Sequence, residues 1–384
     1  MKNLKNIFFV AAAFLLFIPL LYQLDFLNLK VYPLKGAFEK QTNESFSWDT
    51  WFSKDWQENK QDVLKSDLNF KPNLVRLQHQ VDYSVFGEYH MHNFLEGKNK
   101  YFFSKSWAKS RCCNNDLNAD SLQIFVKKLA RLNQVLEQKG KYFQIIIPPS
   151  KEELFSNQLP EEFQTIQIKN DYHLYTNLLD ESGLQYWDLL NKYKQIQDTA
   201  TYPAYSKTSV HWTTYGAHFT LLQILDSINL FFNNTMNQIE IKKFDYEKFR
   251  NESSDGDYEQ TLNLMYRIDQ TTFAYPFYEL KPQENAFKPK VLTIGDSFYW
   301  AIKGSWMLDK IYHKESKYLY YYSTAYSVGS APSLKVSEMD IVKEFQTADA
   351  IILLNSSHNL EGFPFGMEND IDAIISGLET LPNK

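Results

Sequence analysis

Two side chains in this sequence stand where acyl chemistry could use them, Ser297 and His211. Residues 290–300 read Lys-Val-Leu-Thr-Ile-Gly-Asp-Ser-Phe-Tyr-Trp. The β-branched apolar run predicts a buried strand, Gly295-Asp296 breaks it, and the aromatic run over 298–306 predicts a helix. Ser297 would then sit at the carboxyl end of a strand and the amino end of a helix, its hydroxyl exposed among backbone N–H groups. That setting suits a serine nucleophile whose reaction passes through an oxyanion, with Asp296 supporting the turn. A purely structural tight turn would use the same residues. Upstream, His211 lies in a polar loop, residues 205–214, directly before a predicted helix over 213–228 with Thr213 or Thr214 as N-cap. A loop at the edge of a scaffold is where mobile chemistry is placed. His218 falls inside that helix and reads as packing or surface.

The elements that must position these groups follow an α/β pattern. Leu122, Phe125, Val126, Leu129, Leu132, Val135 and Leu136 mark an amphipathic helix closed by Gly140. Residues 142–147 form a buried strand ending in Pro148-Pro149, with Lys151 and Glu153 on the loop at its carboxyl end, where open α/β sheets carry their sites. A helix over 171–182 and a strand over 183–190 follow. After the serine, 318–322 is strand-like and 348–355 is a buried strand ending at Asn355. Such alternation predicts a parallel sheet with helices on both faces. No internal repeat or low-complexity segment interrupts it.

With 384 residues, 44% hydrophobic and 22% charged, the chain can build one large body with a smaller appendage. Its 16% aromatic content fits either a sugar-stacking cleft or an aromatic-rich core. The net charge of −6 and the lack of a long basic run argue against a nucleic-acid partner. Cys112 and Cys113 are the only cysteines. Sequence neighbours rarely bridge each other without strain, and two thiolates cannot complete a tetrahedral zinc site. A disulfide scaffold is excluded; an oxidising compartment is not. No metal or cofactor is called for.

The start of the chain reads as a membrane anchor over 1–24. Lys2 and Lys5 precede an uncharged apolar run close to the hydrocarbon thickness, and Asp25 ends it. No small-x-small cleavage site closes the run, which distinguishes it from a signal peptide. The two lysines place the N-terminus in the cytoplasm and the rest of the chain outside it. Residues 25–84 read as a juxtamembrane connector packing on the body, with an aromatic stretch at 46–52 and helical spacing in parts of 62–86. Residues 85–384 are the body, entered through a turn at 97–100 that feeds a strand at 101–103.

Taken together, the two chemical stretches carry a resemblance. Gly295-Asp296-Ser297-Phe298 is similar to the nucleophile block of SGNH/GDSL-type hydrolases, and His211-Trp212 with Tyr215-Gly216-Ala217 resembles the Asp-x-His-Trp block of AlgX/AlgJ-like alginate O-acetyltransferases. Segments 94–103, 145–160 and 257–262 resemble, in order, that family's early Gly-Lys-Asp-Gly segment, its strand-Pro-x-Pro-x-Lys segment and its Asp-Leu region. The likeness covers most of residues 85–355. The histidine precedes the serine, as in a circularly permuted version of the SGNH fold. The resemblance implies an SGNH-like (flavodoxin-like) parallel sheet. It also implies an acetyl group moved through Ser297 to hydroxyls of an exported polysaccharide. The donor would be supplied by a multi-pass membrane O-acyltransferase, with the catalytic domain periplasmic and tethered to the inner membrane by a single pass. Trp212, Tyr215 and Lys151 would meet substrate, and Asn355 would be an oxyanion donor by analogy with the SGNH asparagine.

One residue departs from the family. Ser209 stands where the family has an aspartate two residues before the histidine. That aspartate normally fixes the imidazole tautomer and stabilises the imidazolium. Ser209 Oγ can accept an Nδ1–H bond but brings no charge. A carboxylate from elsewhere, Asp188 or Asp257, could take the place, a Ser-His dyad could operate, or the site could be weak. Four functions remain open from sequence: an O-acetyltransferase, a carbohydrate esterase of the same fold, an anchored polysaccharide-binding protein, and a structural scaffold in an envelope complex.

Overall fold

The computed structural model describes residues 5–10, 13–14, 17, 21, 31–36, 44–66, 70–113, 118–166, 170–247, 254–304, 307–329, 331–360 and 364–383. The chain divides into two units, Met1–His92 with Tyr258–Ile268, and Asn93–Asp257 with Asp269–Lys384.

In the first unit, helices Lys54–Ser66 and Lys71–Val81 occupy the stretch whose spacing predicted helix in parts, and a π-turn over Asp82–Phe86 follows. Phe46, Trp51 and Trp56 cluster with ring centroids 5.2 to 5.9 Å apart. Arg76 donates to the carbonyls of Pro33 and Leu264, which ties the 258–268 segment to the helical part of the same unit. The predicted anchor lies largely outside the described residues; residues 5–10 are helical and exposed. Among the described residues no helix is long and apolar enough to cross a membrane.

Among the described residues the second unit carries eleven strands: β1 Phe94–Glu96, β2 Phe102–Ser104, β3 Tyr142–Ile147, β4 Tyr186–Asp188, β5 Gln238–Glu247, β6 Phe273–Lys281, β7 Val291–Gly295, β8 Lys317–Tyr320, β9 Thr324–Ser327, β10 Leu334–Lys335 and β11 Ala350–Leu354. Seven form one sheet in the order β10-β9-β8-β7-β11-β3-β4. The five strands from β8 to β4 run parallel, and β9 and β10 add an antiparallel edge. The fold is therefore α/β with a mostly parallel central sheet, as the alternation of helices and strands predicted. β1–β2 and β5–β6 are separate antiparallel ribbons.

Period-two alternation in the central strands feeds two apolar layers. Ile145, Ile147, Leu292, Ile294, Ile351 and Leu353 face one core with helix Ala119–Gln138, while Ile146, Val291, Ile352 and Leu354 face the other with helix Thr214–Phe231. Burying both faces is what makes these strands read as continuous apolar runs. The strand expected over 318–322 ends at Tyr320, because Tyr321 and Tyr322 turn left-handed with φ 47 and 48°. Cys112 and Cys113 close the last turn of helix Lys105–Cys113 and are joined to each other by a disulfide, a correction to the expectation that sequence neighbours stay unbridged.

Candidate active site

β7 lies between β11 and β8, and its carboxyl end delivers Ser297 to the rim of the sheet. Gly295 is required there: a Cβ would stand 2.3 Å from the Leu354 carbonyl oxygen of the neighbouring strand. Asp296 is fully buried and organises the turn after it. Its Oδ1 accepts the Phe298 N–H at 3.0 Å, and its Oδ2 accepts the N–H of Ser356 at 2.8 Å together with the Ser356 hydroxyl. Burial pushes the Asp296 carboxyl up, and the bonds from Ser356 and Phe298 draw it back down. Asp296 thus bonds both the residue after Ser297 and the loop after β11. Ser297 itself remains partly accessible.

The helix after the serine is shorter than the aromatic run promised, Tyr299–Lys303, and Trp306 falls outside the described residues. Most of the turn's backbone donors are already used. Phe298 N–H goes to Asp296 Oδ1, Tyr299 N–H to Asp296 O and Trp300 N–H to Ser297 O. Among the described residues only the N–H of Ser297 itself has no acceptor at this turn.

His211 reaches Ser297 across 86 positions of sequence, with Nε2 2.7 Å from Oγ. Thr213 caps helix Thr214–Phe231 by accepting the Gly216 N–H, which makes it the N-cap of the two candidates. Gly216 lets that helix press on the preceding loop; a Cβ would meet the Ala204 carbonyl oxygen at 2.1 Å. The segment Asp255-Gly256-Asp257 then clasps the loop from outside. Asp255 Oδ1 accepts the Thr214 N–H at 2.9 Å, and Asp257 Oδ1 accepts the Val210 N–H at 2.8 Å. The second oxygen of Asp257 accepts the Nδ1–H of His211 at 2.7 Å. With Nδ1 protonated toward the carboxylate, Nε2 is left to accept the Ser297 hydroxyl proton.

Asp257 thus occupies the place left open by Ser209. Ser209 is fully buried, and its Oγ accepts the backbone N–H of His211 at 3.1 Å, while the imidazole bonds to Asp257. Asp188, the other carboxylate considered, accepts the Tyr172 hydroxyl at 2.5 Å and the Leu190 N–H at 3.0 Å. It belongs to the edge strand β4 rather than to this histidine.

The three side chains expected to meet substrate are buried instead. Trp212 is 0% exposed; its indole N–H donates to the Phe298 carbonyl at 3.0 Å and its ring stacks on Tyr193. The residue beside the histidine therefore ties the histidine loop to the backbone beside the serine. Tyr215 packs edge-on against Tyr202, Phe219 and Phe244. Lys151, 1% exposed, donates Nζ to the backbone carbonyls of Lys207 and Ser209 beneath the histidine loop. Burial draws its ammonium down to about 7, against the opposing charges of Glu152, Asp257 and Asp269. The carbonyls of this loop hold the Lys151 ammonium inside, away from the substrate contact expected of it.

His218 packs as expected, with Nδ1 3.0 Å from the Tyr278 hydroxyl, and burial, followed by the charge of Lys192, lowers its imidazole to about 4. Asn355 does stand on the loop after β11, but its Nδ2 donates to the Asn359 carbonyl at 3.1 Å rather than toward the serine. The Asn359 amide in turn donates to the Tyr321 hydroxyl at 3.1 Å. Burial first, then the Asp296 charge, raises the Tyr321 phenol, and the bond from Asn359 opposes that rise. The sequence reading places Tyr321 in a strand; of the three consecutive tyrosines 320–322, the last two turn left-handed out of the pleat.

A pocket of about 280 Å³ opens beside the histidine loop, lined by Tyr101, Gln197, Tyr202, Ser206, Lys207 and Asp269 among others. Tyr202 and Tyr246 lie 5.2 Å apart near it, and Tyr246 is exposed.

The family model for an SGNH hydrolase-like domain, acetyltransferase AlgX, matches residues 95–299, a span that holds both His211 and Ser297. No curated protein matches the chain. Among solved structures it is similar to the O-acetyltransferase domain of Pseudomonas putida AlgJ, with 15% identity over 75% of this chain and 99% of that one and a TM-score of 0.46. Bacillus cereus PatB1 is similar at 14% identity over 71% and 98%, TM-score 0.41, and Pseudomonas aeruginosa AlgX at 11% over 78% and 71%, TM-score 0.46. A match over more than half its length, with histidine and serine both inside it, places the chain in the AlgX family of SGNH hydrolase-like acetyltransferases.

Proposed function

We propose that this chain moves an acetyl group through a Ser297-linked intermediate onto hydroxyls of an exported polysaccharide. The observation that carries the reading is the hydrogen-bonded line Ser297 Oγ, His211 Nε2, His211 Nδ1, Asp257 Oδ2, with both links at 2.7 Å. His211 takes the hydroxyl proton as Ser297 Oγ bonds the acetyl carbonyl carbon, and the carbonyl π pair moves onto oxygen. Collapse of the tetrahedral species expels the donor's leaving group, which receives the proton from His211. A sugar hydroxyl then attacks the acetyl-enzyme, giving its proton to the same nitrogen, and as the second tetrahedral species breaks down the Oγ–carbon bond cleaves and Ser297 Oγ takes that proton back from His211. Asp257 holds the tautomer and offsets the imidazolium charge in both halves.

Aromatic faces beside a pocket lined by hydroxyl, amide, carboxylate and ammonium groups support a sugar acceptor, since such rings take the C–H face of a pyranose while polar groups meet its hydroxyls. The basic-then-apolar sequence of residues 1–24 supports a single-pass tether with the body outside the cytoplasm, and the Cys112–Cys113 disulfide favours an oxidising compartment. A donor handed across the membrane by a multi-pass O-acyltransferase fits that placement.

The test is full-length chain in detergent with p-nitrophenyl acetate and an oligosaccharide acceptor, read by mass spectrometry. Acetylated oligosaccharide is expected, and it should vanish in Ser297→Ala and His211→Ala. Acetate release with no sugar acetylation would make the protein an esterase. Acceptor binding with neither product would leave an anchored polysaccharide-binding protein.

A further inference from the structure

Behind Ser297 lies a buried polar link that no step of the acyl transfer uses. Asp296, fully buried, takes three hydrogen bonds on its carboxylate: the Phe298 N–H on Oδ1 at 3.0 Å, and on Oδ2 the Ser356 N–H at 2.8 Å together with the Ser356 hydroxyl. We infer that Ser356 is a positioning residue for the nucleophile: its hydroxyl holds the Asp296 carboxylate in place, and through it the turn that presents Ser297. This rests on the reading of Ser297 as the acyl-accepting nucleophile.

Ser356 is itself held from the far side of the sheet. Asn355 N–H donates to Ile146 O at 3.0 Å and Ser357 N–H to Pro148 O at 2.9 Å, so its two neighbours are bonded to the end of β3. Ser150 N–H donates in turn to Ser357 Oγ at 2.8 Å. Between these anchors Ser356, fully buried, reaches the other way, to the turn after β7. The Asp296 backbone is fixed as well. Its N–H goes to Leu354 O at 3.2 Å, and its carbonyl accepts the Tyr299 N–H at 3.2 Å and the Tyr318 hydroxyl. What remains to be set is the carboxylate, which must stay an acceptor if the residue after the nucleophile is to stay bonded.

A carboxylate out of water is costly unless donors surround it. Burial pushes the Asp296 carboxyl up, and the Ser356 hydroxyl comes first among the groups that draw it down, ahead of the two N–H bonds and the charge of His211. Tyr205, Tyr318, Tyr320 and Tyr321 feel the Asp296 charge, and burial raises each phenol, so all four stay protonated. His358 Nε2 lies 3.4 Å from Ser356 Oγ, and burial, followed by the charge of His211, holds that imidazole well below its ordinary value and so neutral. Removing the Ser356 hydroxyl should therefore raise Asp296 further. The carboxyl would take up a proton at higher pH, and the turn would lose its acceptor from there downward.

The experiment is covalent labelling of the full-length chain with methanesulfonyl fluoride, timed by intact mass between about pH 5 and pH 8. Ser297 Oγ bonds sulfur, fluoride leaves, and the hydroxyl proton passes to His211. Wild type should label and Ser297→Ala should not. Ser356→Ala should label about tenfold more slowly at neutral pH. The ratio of the two rates cancels the acid limb that His211 gives both chains, and it should widen by about threefold or more on acidification. In an Asp296→Asn background, where no carboxylate remains to be held, the same substitution should change the rate by less than about twofold. A Ser356→Ala rate within about threefold of wild type throughout, a ratio that stays flat with pH, or an equal slowing in the Asp296→Asn background each overturns the assignment while leaving the nucleophile in place. A wild-type chain that takes no label at Ser297 overturns both. Should Ser356→Ala fail to fold, Ser356→Cys, whose thiol is a weaker donor of similar size, is judged by the same ratio: widening supports the assignment and a flat ratio sinks it.

Discussion

His211 Nδ1 and Asp257 Oδ2 stand 2.7 Å apart, although 46 positions of sequence separate them and the residue two before the histidine is a serine. The carboxylate arrives from outside the loop, carried by a segment whose neighbour Asp255 seizes the first N–H of the following helix. The carboxylate partner of the imidazole comes from a segment distant in sequence, because what the imidazole requires is a place in space.

Asp257→Asn should therefore be far more damaging than Ser209→Ala. An amide keeps the shape but cannot hold the tautomer or offset the imidazolium, and the loss in kcat should be about 10³-fold or more. Ser209→Ala removes one bond to the His211 N–H and should cost about tenfold or less. Acetyl-ester turnover of the two variants decides this, and a larger loss at Ser209 would sink the assignment of Asp257.

Trp212→Phe separates a positioning role from a substrate contact. The indole is fully buried and holds the Phe298 carbonyl, so its loss should lower stability by about 1–3 kcal/mol and reduce kcat. KM for an oligosaccharide acceptor should hardly move. A rise in KM at constant kcat and constant melting temperature would return Trp212 to the substrate side.

Gly216→Ala should disable the histidine loop from behind. The added methyl would meet the Ala204 carbonyl at 2.1 Å, and that backbone also accepts the Thr213 N–H. Relief requires the helix to lift, at about 2 kcal/mol or more, with activity falling alongside. Denaturant melts and turnover measured on one preparation check it; an alanine variant as stable and active as wild type would mean the close approach is not real.

His218 makes acid stability a readable quantity. Its folded value of about 4 lies below the unfolded 6.5, so the unfolded chain binds the extra proton first. Stability should fall as pH drops from 6.5 toward 4 and this contribution should level off below that, for a total of up to about 3 kcal/mol. His218→Gln should flatten that part of the profile in urea melts taken between pH 4 and 7. An unchanged slope would show that the imidazole does not stay neutral in its pocket with Tyr278.

The doubly covered sheet, the strand-turn-helix around Ser297, the cap at Thr213 and the histidine-then-serine order were all legible in the residues. Each is written in local periodicity or in a short motif: apolar runs that can be satisfied only between two layers, a glycine-aspartate break, a polar residue before a helix. Adjacent cysteines offered no comparable rule, and their bridge was not foreseen. Trp212, Tyr215 and Lys151 were misplaced because a polar or aromatic side chain near a catalytic residue looks the same in sequence whether it faces a ligand or a buried carbonyl.

What the chain determined by itself is the set of elements and the serine that they carry to the carboxyl end of β7. Which carboxylate serves the histidine and which amide is spent elsewhere were decided only when strands β7, β8 and β11 came side by side and brought distant loops to one rim. Hydrogen bonds of this kind depend on separations of about 3 Å and on direction, and neither is encoded in the spacing of residues along a line.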